Sequence, residues 1–452
     1  MSAIVKGGGG ASKQEKTVTA LMTQLIVTPD KGKLLSKVTI NPPVIPKSIS
    51  VTTMPSKTSY KAGETLDLTG IAVKAEMSDG TTKDITSECT FSPASGTVLY
   101  EDVKSVSVAW NSGNITYSTS LGINVTRVLS SISITANPSK TEYYKGESLD
   151  LTGIAVTATY TSGRTEDVTS SITSSPVSGT SLTEFGSQTV TVSYAENGVT
   201  KTATFTISVS VKIVTWAGGT DEEVANMVAA ADVGAINLAD YWAVGDERQA
   251  TLSAMSATGV GESHAEQTVT FVLMNSGGKT LANPTASGRT ECSFIVGMKN
   301  GLAETGYMNS SDTNSGGWES CKRRTWCNDV FRNAIPEALR DMFKQHLNVT
   351  ANGSSNTTAT STDYFALPAE KEVFGSIKYA NSTAEASLSQ FEYYKTSANR
   401  IKKTGDSGSA SKWWERSPFS GASSDFCIVY SGGSASSYYA STAELLAPFG
   451  VI

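Results

Sequence analysis

The residue types that carry most acid–base and metal chemistry are scarce and scattered in this sequence. There are two histidines, His264 and His346, about 80 residues apart, and five cysteines, Cys89, Cys292, Cys321, Cys327 and Cys427, without CxxC spacing. His346 falls in a stretch with helical periodicity, where a surface position is expected. Cys321 and Cys327 stand six apart and could pair across a loop. Free thiols are nevertheless the expectation, because disulfide frameworks belong mostly to small secreted domains. The sequence holds no HExxH, GxSxG, phosphate-loop or dinucleotide-binding glycine motif. It also has no Asp-x-Asp-x-Asp-Gly loop for calcium. No catalytic residue, metal ligand or cofactor is assigned, and the chain is expected not to be an enzyme. A glycosidase-type carboxylate pair stays open by residue type alone.

Recognition chemistry is denser near the C-terminus. After Pro418 the chain reads Phe419-Ser-Gly-Ala-Ser-Ser-Asp-Phe-Cys-Ile-Val-Tyr430-Ser-Gly-Gly-Ser-Ala-Ser-Ser-Tyr-Tyr439-Ala-Ser-Thr. Tyr supplies rigid amphipathic contact area, and Ser and Gly supply adaptable hydrogen bonding, the vocabulary of antibody paratopes. The candidate ligand-binding residues are Trp414, Phe419, Ser423, Asp425, Tyr430, Ser434, Ser436, Tyr438, Tyr439 and Ser441. Phe426, Ile428 and Tyr430 alternate with Cys427 and Val429, which predicts a strand with two differently used faces. A polar solvated hairpin is the plainer reading of the same residues. Trp413 and Trp414 suit a stacking platform for sugar rings, yet Trp is mostly buried, so core packing is expected for at least one of them. The adjoining Glu415-Arg416 reads as an ion pair.

The elements that must position these residues follow from composition and repeats. Charged residues make up 17% of 452, against about 25% in ordinary soluble domains. Thirty-nine glycines with abundant Ser and Thr fit many short strands joined by tight turns. A net charge of −6 argues against nucleic acid as a partner. No apolar run reaches the roughly 18 residues of a membrane helix, so membrane insertion is not expected. The opening Met1-Ser-Ala-Ile-Val-Lys-Gly-Gly-Gly-Gly10 is not a secretory signal, which predicts a protein made in a cytoplasm.

An internal repeat occurs at an offset of 83: Gly63-Glu-Thr-Leu-Asp-Leu-Thr-Gly-Ile-Ala-Val73 recurs as Gly146-Glu-Ser-Leu-Asp-Leu-Thr-Gly-Ile-Ala-Val156. Ser48-Ile-Ser-Val, Asp84-Ile-Thr86 and Pro93-Ala-Ser-Gly-Thr97 recur at the same offset. Tandem domains of one fold are predicted. Val190, Val192 and Tyr194, then Ala203, Phe205, Ile207 and Val209, alternate with polar residues as half-buried strands do. Asp79-Gly80 and Ser162-Gly163 supply turns. Two β-sandwiches are expected, at 47–127 and 128–211, without an antibody-type disulfide. Beyond Lys212, Thr220 and Glu223 have capping-box spacing before Val224, Met227, Val228 and Ala231. A second helix is predicted over Asn328–Leu347, with Pro336 in a first turn, and 348–362 is predicted to be an exposed loop.

The repeats resemble the bacterial immunoglobulin-like domains of surface and phage virion proteins, which act mostly as spacers. Residues 1–46, with short strands read around Val27–Gly32, resemble a segment found near the ends of phage tail and fibre proteins; a flexible leader is the alternative. Asp240-Tyr-Trp-Ala-Val-Gly-Asp246, Met308-Asn-Ser-Ser-Asp-Thr-Asn-Ser-Gly-Gly-Trp318, Phe374-Gly375, Trp413-Trp-Glu-Arg-Ser-Pro418 and Phe426-Cys-Ile-Val-Tyr-Ser-Gly-Gly433 occur in that order. This set resembles an uncharacterised family of gut bacteria and their phages, similar to C-type-lectin-like and formylglycine-generating-enzyme-like folds. The copper-binding cysteine pair of the latter has no match here. The expected whole is mainly β: two immunoglobulin-like sandwiches, then an α+β C-type-lectin-like domain over 212–452. The expected function is a phage virion protein (tail fibre, baseplate or head decoration), located in the virion and released by lysis. Residues 1–46 would join other virion proteins, and 212–452 a host glycan or protein. A homo-oligomer is expected. A purely structural decoration and a bacterial surface adhesin are the alternatives.

Overall fold

The computed structural model describes residues 42–257, 260 and 263–452. The strands expected within 1–41, and most of the expected attachment segment, lie outside the described residues.

The first repeat forms two antiparallel three-stranded sheets. One takes the strands Pro46–Thr53, Ala72–Met77 and Thr82–Asp84; the other takes Thr90–Ser92, Ser105–Ser112 and Ile115–Gly122. Ser59–Lys61 pairs in parallel with Asn124–Thr126. Alternating residues enter one core that contains Ile49, Val73, Ala75, Leu99, Val106, Val108, Trp110 and Leu121. The second repeat has a sheet of Thr165–Asp167, Ala155–Tyr160 and Leu129–Ala136. Its other sheet runs in the order Glu142–Tyr144, Val199–Ser210, Gly186–Glu196, Thr173–Ser175. Val190, Val192, Phe205, Ile207 and Val209 are all buried, as period-2 alternation requires. Gly80 and Gly163 turn their hairpins at φ 83° and 82°, where a Cβ would be strained.

One polar device recurs at the same offset. The Tyr60 hydroxyl lies 2.9 and 3.0 Å from the carbonyls of Lys57 and Asp67 and accepts from the Asp67 N–H. Tyr143 does the same with Lys140 and Asp150. Both rings are buried, and each hydroxyl satisfies backbone groups of the irregular segment that follows its strand.

The described chain parts into two compact units whose boundary runs inside the second repeat. The C-terminal region, within the second unit, centres on a five-stranded antiparallel sheet. Its order is Glu247–Leu252, Gln267–Ser276, Phe294–Met298, Phe449–Val451, Phe365–Ala366. Phe294–Met298 is an unbroken apolar run buried on both faces, and the last strand of the chain lies beside it. The helix Asp221–Asp232 has the expected capping box, and its Val224, Met227, Val228 and Ala231 are buried. A three-stranded sheet of Trp413–Pro418, Asp425–Val429 and Ala435–Tyr439 completes the region.

Two sequence expectations are corrected here. The predicted helix over 328–347 is broken: a turn of π-helix at Cys327–Phe331 leads through Arg332–Ala334 to an extended Ile335 (ψ 138°), and a separate helix runs over Glu337–Met342. A residue before proline is pushed out of the α region, so Pro336 ends one helix and precedes the next. The predicted loop 348–362 is largely a hairpin, His346–Ala351 against Thr358–Asp363. Its Thr-rich composition is as compatible with strands as with loops.

Candidate functional site

The candidate surface is built on the hairpin Asp425–Val429/Ala435–Tyr439, paired from Asp425↔Tyr439 to Val429↔Ala435. The turn closes with the Tyr430 N–H donating to Ser434 O at 2.7 Å and the Gly433 N–H to Tyr430 O at 2.8 Å. Gly433 has φ 84°, which favours glycine over any L side chain. Ala435–Tyr439 is the outer strand of its sheet. Tyr430, Tyr438 and Tyr439 are 46%, 36% and 57% exposed, high for tyrosines in a folded chain. The Lys412 ammonium lies 5.3 Å from the Tyr430 ring centroid and 4.1 Å from that of Tyr438. It also stands 3.5 Å from a Glu444 carboxylate oxygen. Burial works against the lysine's charge, but Glu444 and Tyr438 outweigh it and its pKa is raised. A cation held between two open rings is thus charged at neutral pH.

The loop leading into the hairpin is fixed from below. The Asn314 side-chain amide donates to the carbonyls of Phe419, Ala422 and Asp425 at 3.2, 2.9 and 2.8 Å, and its backbone N–H donates to Ser423 O. Asp425 accepts from the Ser424 and Ser437 hydroxyls at 2.6 and 3.2 Å. Ser441 donates from both N–H and hydroxyl to Asp312. Phe419 packs edge-on against Tyr379 at 5.8 Å. Of the candidate residues, Tyr430, Tyr438, Tyr439, Ser423 and Ser434 are exposed, and Phe419, Asp425, Ser436 and Ser441 are half-buried.

Trp414 does not belong to the surface. It is fully buried and donates its indole N–H to Gly306 O at 2.8 Å; Trp413 is equally buried and donates to Arg400 O. Neither ring can stack on a ligand. The expected two-faced strand is also corrected, since Phe426, Cys427, Ile428 and Val429 are all buried. The exposed surface comes from the turn and the outer strand instead. Glu415 and Arg416 do not pair with each other: successive strand residues point to opposite faces. Arg416 donates to Glu372 and to Leu367 O. Glu415 is completely buried with neither carboxylate oxygen hydrogen-bonded, and burial holds its pKa well above the usual range. Burial also pushes the neighbouring Glu385 up to about 7.

The two histidines occupy different buried places. His264 has its Nδ1 3.1 Å from a Glu304 carboxylate oxygen, and burial lowers its pKa. His346 opens a strand rather than lying on a helix surface, and burial drives its pKa down to about 3. All five cysteines are free thiols, Cys321 and Cys327 included. Among the described residues no group of three or more His, Cys, Asp or Glu is placed to hold a metal.

One concavity went unread as a site in the sequence. A shallow cleft of about 460 Å³ is lined by Trp216, Asp240, Tyr241, Trp242, Asp246 and Glu247 among others. Only Tyr241 of its aromatics is exposed, because the two indoles pack on each other at 5.2 Å.

Comparison with known proteins matches two parts of the chain. A family model described as a bacterial Ig-like domain (group 3) matches residues 136–209. Another, described as a domain of unknown function (DUF6273), matches residues 295–448. Among solved structures, the chain is similar to the S-layer protein SbsC domains 4 and 5 at 16% identity, over 36% of this chain and 98% of that one, with a TM-score of 0.16. A structure of the surface layer protein SbsC, domains 1–6, is 13% identical over 56% of this chain and 38% of that one, again at TM-score 0.16. No curated protein matches the chain.

Proposed function

We propose that the chain is a displayed, non-catalytic binding protein of a phage particle, of tail-fibre, baseplate or head-decoration type. In this reading residues 1–46 join other virion proteins, and the immunoglobulin-like repeats carry the C-terminal, C-type-lectin-like domain. That domain contacts a cell-wall or capsular carbohydrate of the host, and the protein resides in the virion until lysis releases it. The observation that carries the binding half is the exposed Tyr430–Lys412–Tyr438 arrangement with Tyr439 beside it. Open rings stack on the apolar faces of sugars, while an ammonium and nearby hydroxyls hydrogen-bond the ring substituents. The bacterial Ig-like match supports the display half. Sites this shallow bind weakly one at a time, so a homo-oligomer supplies the avidity.

The Ig-like match favours a bacterial surface adhesin equally, and the two readings part on location. Neighbouring tail or capsid genes and recovery in purified particles support the virion; recovery in the cell envelope of uninfected bacteria contradicts it. For the ligand, the full chain is bound to host cells and challenged with soluble host-wall polysaccharide. Release by polysaccharide, with binding unchanged after protease treatment of the cells, is the expected result. Binding abolished by protease would overturn the glycan assignment.

A further inference from the structure

Three buried side chains of the C-terminal region are in direct hydrogen-bond contact and are not used by the hairpin site. Lys279 follows the Gln267–Ser276 strand, Asn348 lies on the His346–Ala351 strand, and Glu372 lies on the helix Glu370–Phe374. They are 5%, 0% and 1% exposed. The Lys279 Nζ lies 2.9 Å from the Asn348 carboxamide oxygen and is hydrogen-bonded to the Glu372 carboxylate. Backbone pairing fixes the approach: the Leu347 N–H donates to Thr280 O, and Leu281 bridges to His346. The Asn348 amide nitrogen in turn donates to Asp363 at 3.1 Å. The Phe391 and Phe449 rings flank the ammonium at 5.9 and 5.3 Å.

We propose that Lys279 and Asn348 become joined by an intramolecular amide bond, with Glu372 moving the proton. The plainer role for the trio is a static buried ion pair, but Glu372 already receives two hydrogen bonds from Arg416. Lys279 is then a second buried cation on one carboxylate, a costly arrangement that loss of its charge relieves. Burial, with Arg416 adding to it against Glu372, brings the Lys279 pKa down to about 8, so the neutral amine is reached just above neutral pH, while Arg416 and Lys279 outweigh burial and hold Glu372 ionised, its pKa down to about 2. Cys292, His346, Asp363, Glu385, Glu415 and Tyr394 are further titratable groups whose charges bear on Lys279 or on its partners.

The neutral Nζ gives its lone pair to Cγ of Asn348, forming the new C–N bond as the carbonyl electrons move onto Oδ1. Glu372 takes one proton from Nζ. As the carbonyl reforms, the Cγ–Nδ2 bond breaks with its electron pair on nitrogen, and the same proton goes to Nδ2. An amine and a primary amide have become a secondary amide and ammonia, with no oxidant or cofactor. Asp363 holds the departing nitrogen, and adjacency of the reacting groups replaces a bimolecular encounter. A chain whose cysteines are all free thereby gains a covalent staple between the segment after the Gln267–Ser276 strand and the His346–Ala351 strand. The inference stands apart from whatever the hairpin binds.

Intact-mass measurement of the purified, folded full chain tests it. The expected mass is lower than the sequence mass by one ammonia, and digestion yields a branched peptide joining the Lys279 and Asn348 segments. Chain recovered from inclusion bodies at full sequence mass loses ammonia on its first folding, and faster as pH rises through about 8, where Lys279 gives up its proton. The Lys279→Ala and Asn348→Ala variants keep their full sequence masses. Full sequence mass in cooperatively melting wild-type protein after prolonged alkaline incubation overturns the proposal. So does an ammonia loss that persists in Lys279→Ala.

Discussion

Lys412 is the hinge of the candidate surface at the scale of single residues, because one ammonium orders two exposed rings. Replacing it with Ala removes cation–π attraction of about 0.5–1 kcal/mol per ring, about 1–2 kcal/mol for the two, so binding to host cells should weaken about five- to thirtyfold. Trp414→Ala instead costs about 3–5 kcal/mol of stability by opening a core cavity. Burial raises the folded pKa of Glu385 from 4.5 to about 7. The folded chain keeps a proton that the unfolded chain releases above pH 4.5. Stability therefore falls as pH rises from about 4.5 to about 7, by up to about 1.4 kcal/mol per pH unit, and levels off beyond. Glu415 acts in the same direction. Thermal melts of Glu385→Gln should show a flatter pH profile in that window and a higher midpoint at pH 8 than wild type. The exposed tyrosines were legible in the sequence because Tyr, Ser and Gly cluster there. Trp414 was not, since an indole gives the same sequence signal inside and outside. The Glu415–Arg416 pairing failed on a rule the sequence does carry: strand neighbours face apart.

At the scale of elements, the repeat made the sandwiches readable and also exposes their shared weak point. Tyr60→Phe and Tyr143→Phe each remove a hydroxyl that serves two carbonyls and one N–H. Each substitution should cost about 1–3 kcal/mol in denaturant unfolding. Equal losses are expected because the two networks agree bond for bond. The helix around Asn328 and the loop after it misread for separate reasons. Apolar residues at 3–4 spacing continue through Pro336, but the proline forces Ile335 out of the helix. In 346–363 the polar side chains Asn348, Thr350, Ser361 and Asp363 point inward, so polarity there marks a buried network rather than solvent. Composition cannot tell these apart; only partners can.

For the whole molecule, low charge and abundant Gly, Ser and Thr resolve into two kinds of structure. In the repeats they make strands and turns, the part of the fold most openly written in the sequence, and residues 136–209 match a bacterial Ig-like family model. In the C-terminal region the same composition builds a hairpin whose apolar half is sealed in the core and whose tyrosines stay outside. The role proposed for this hairpin is binding to the host. The most direct measurement is the binding isotherm of the full chain on host cells, set beside that of Tyr430→Ala/Tyr438→Ala/Tyr439→Ala with its fold confirmed by an unchanged melt. At least a tenfold loss of affinity, about 1.4 kcal/mol, is expected if the exposed rings carry most of the contact. Superimposable isotherms would contradict that role and leave the protein a structural decoration.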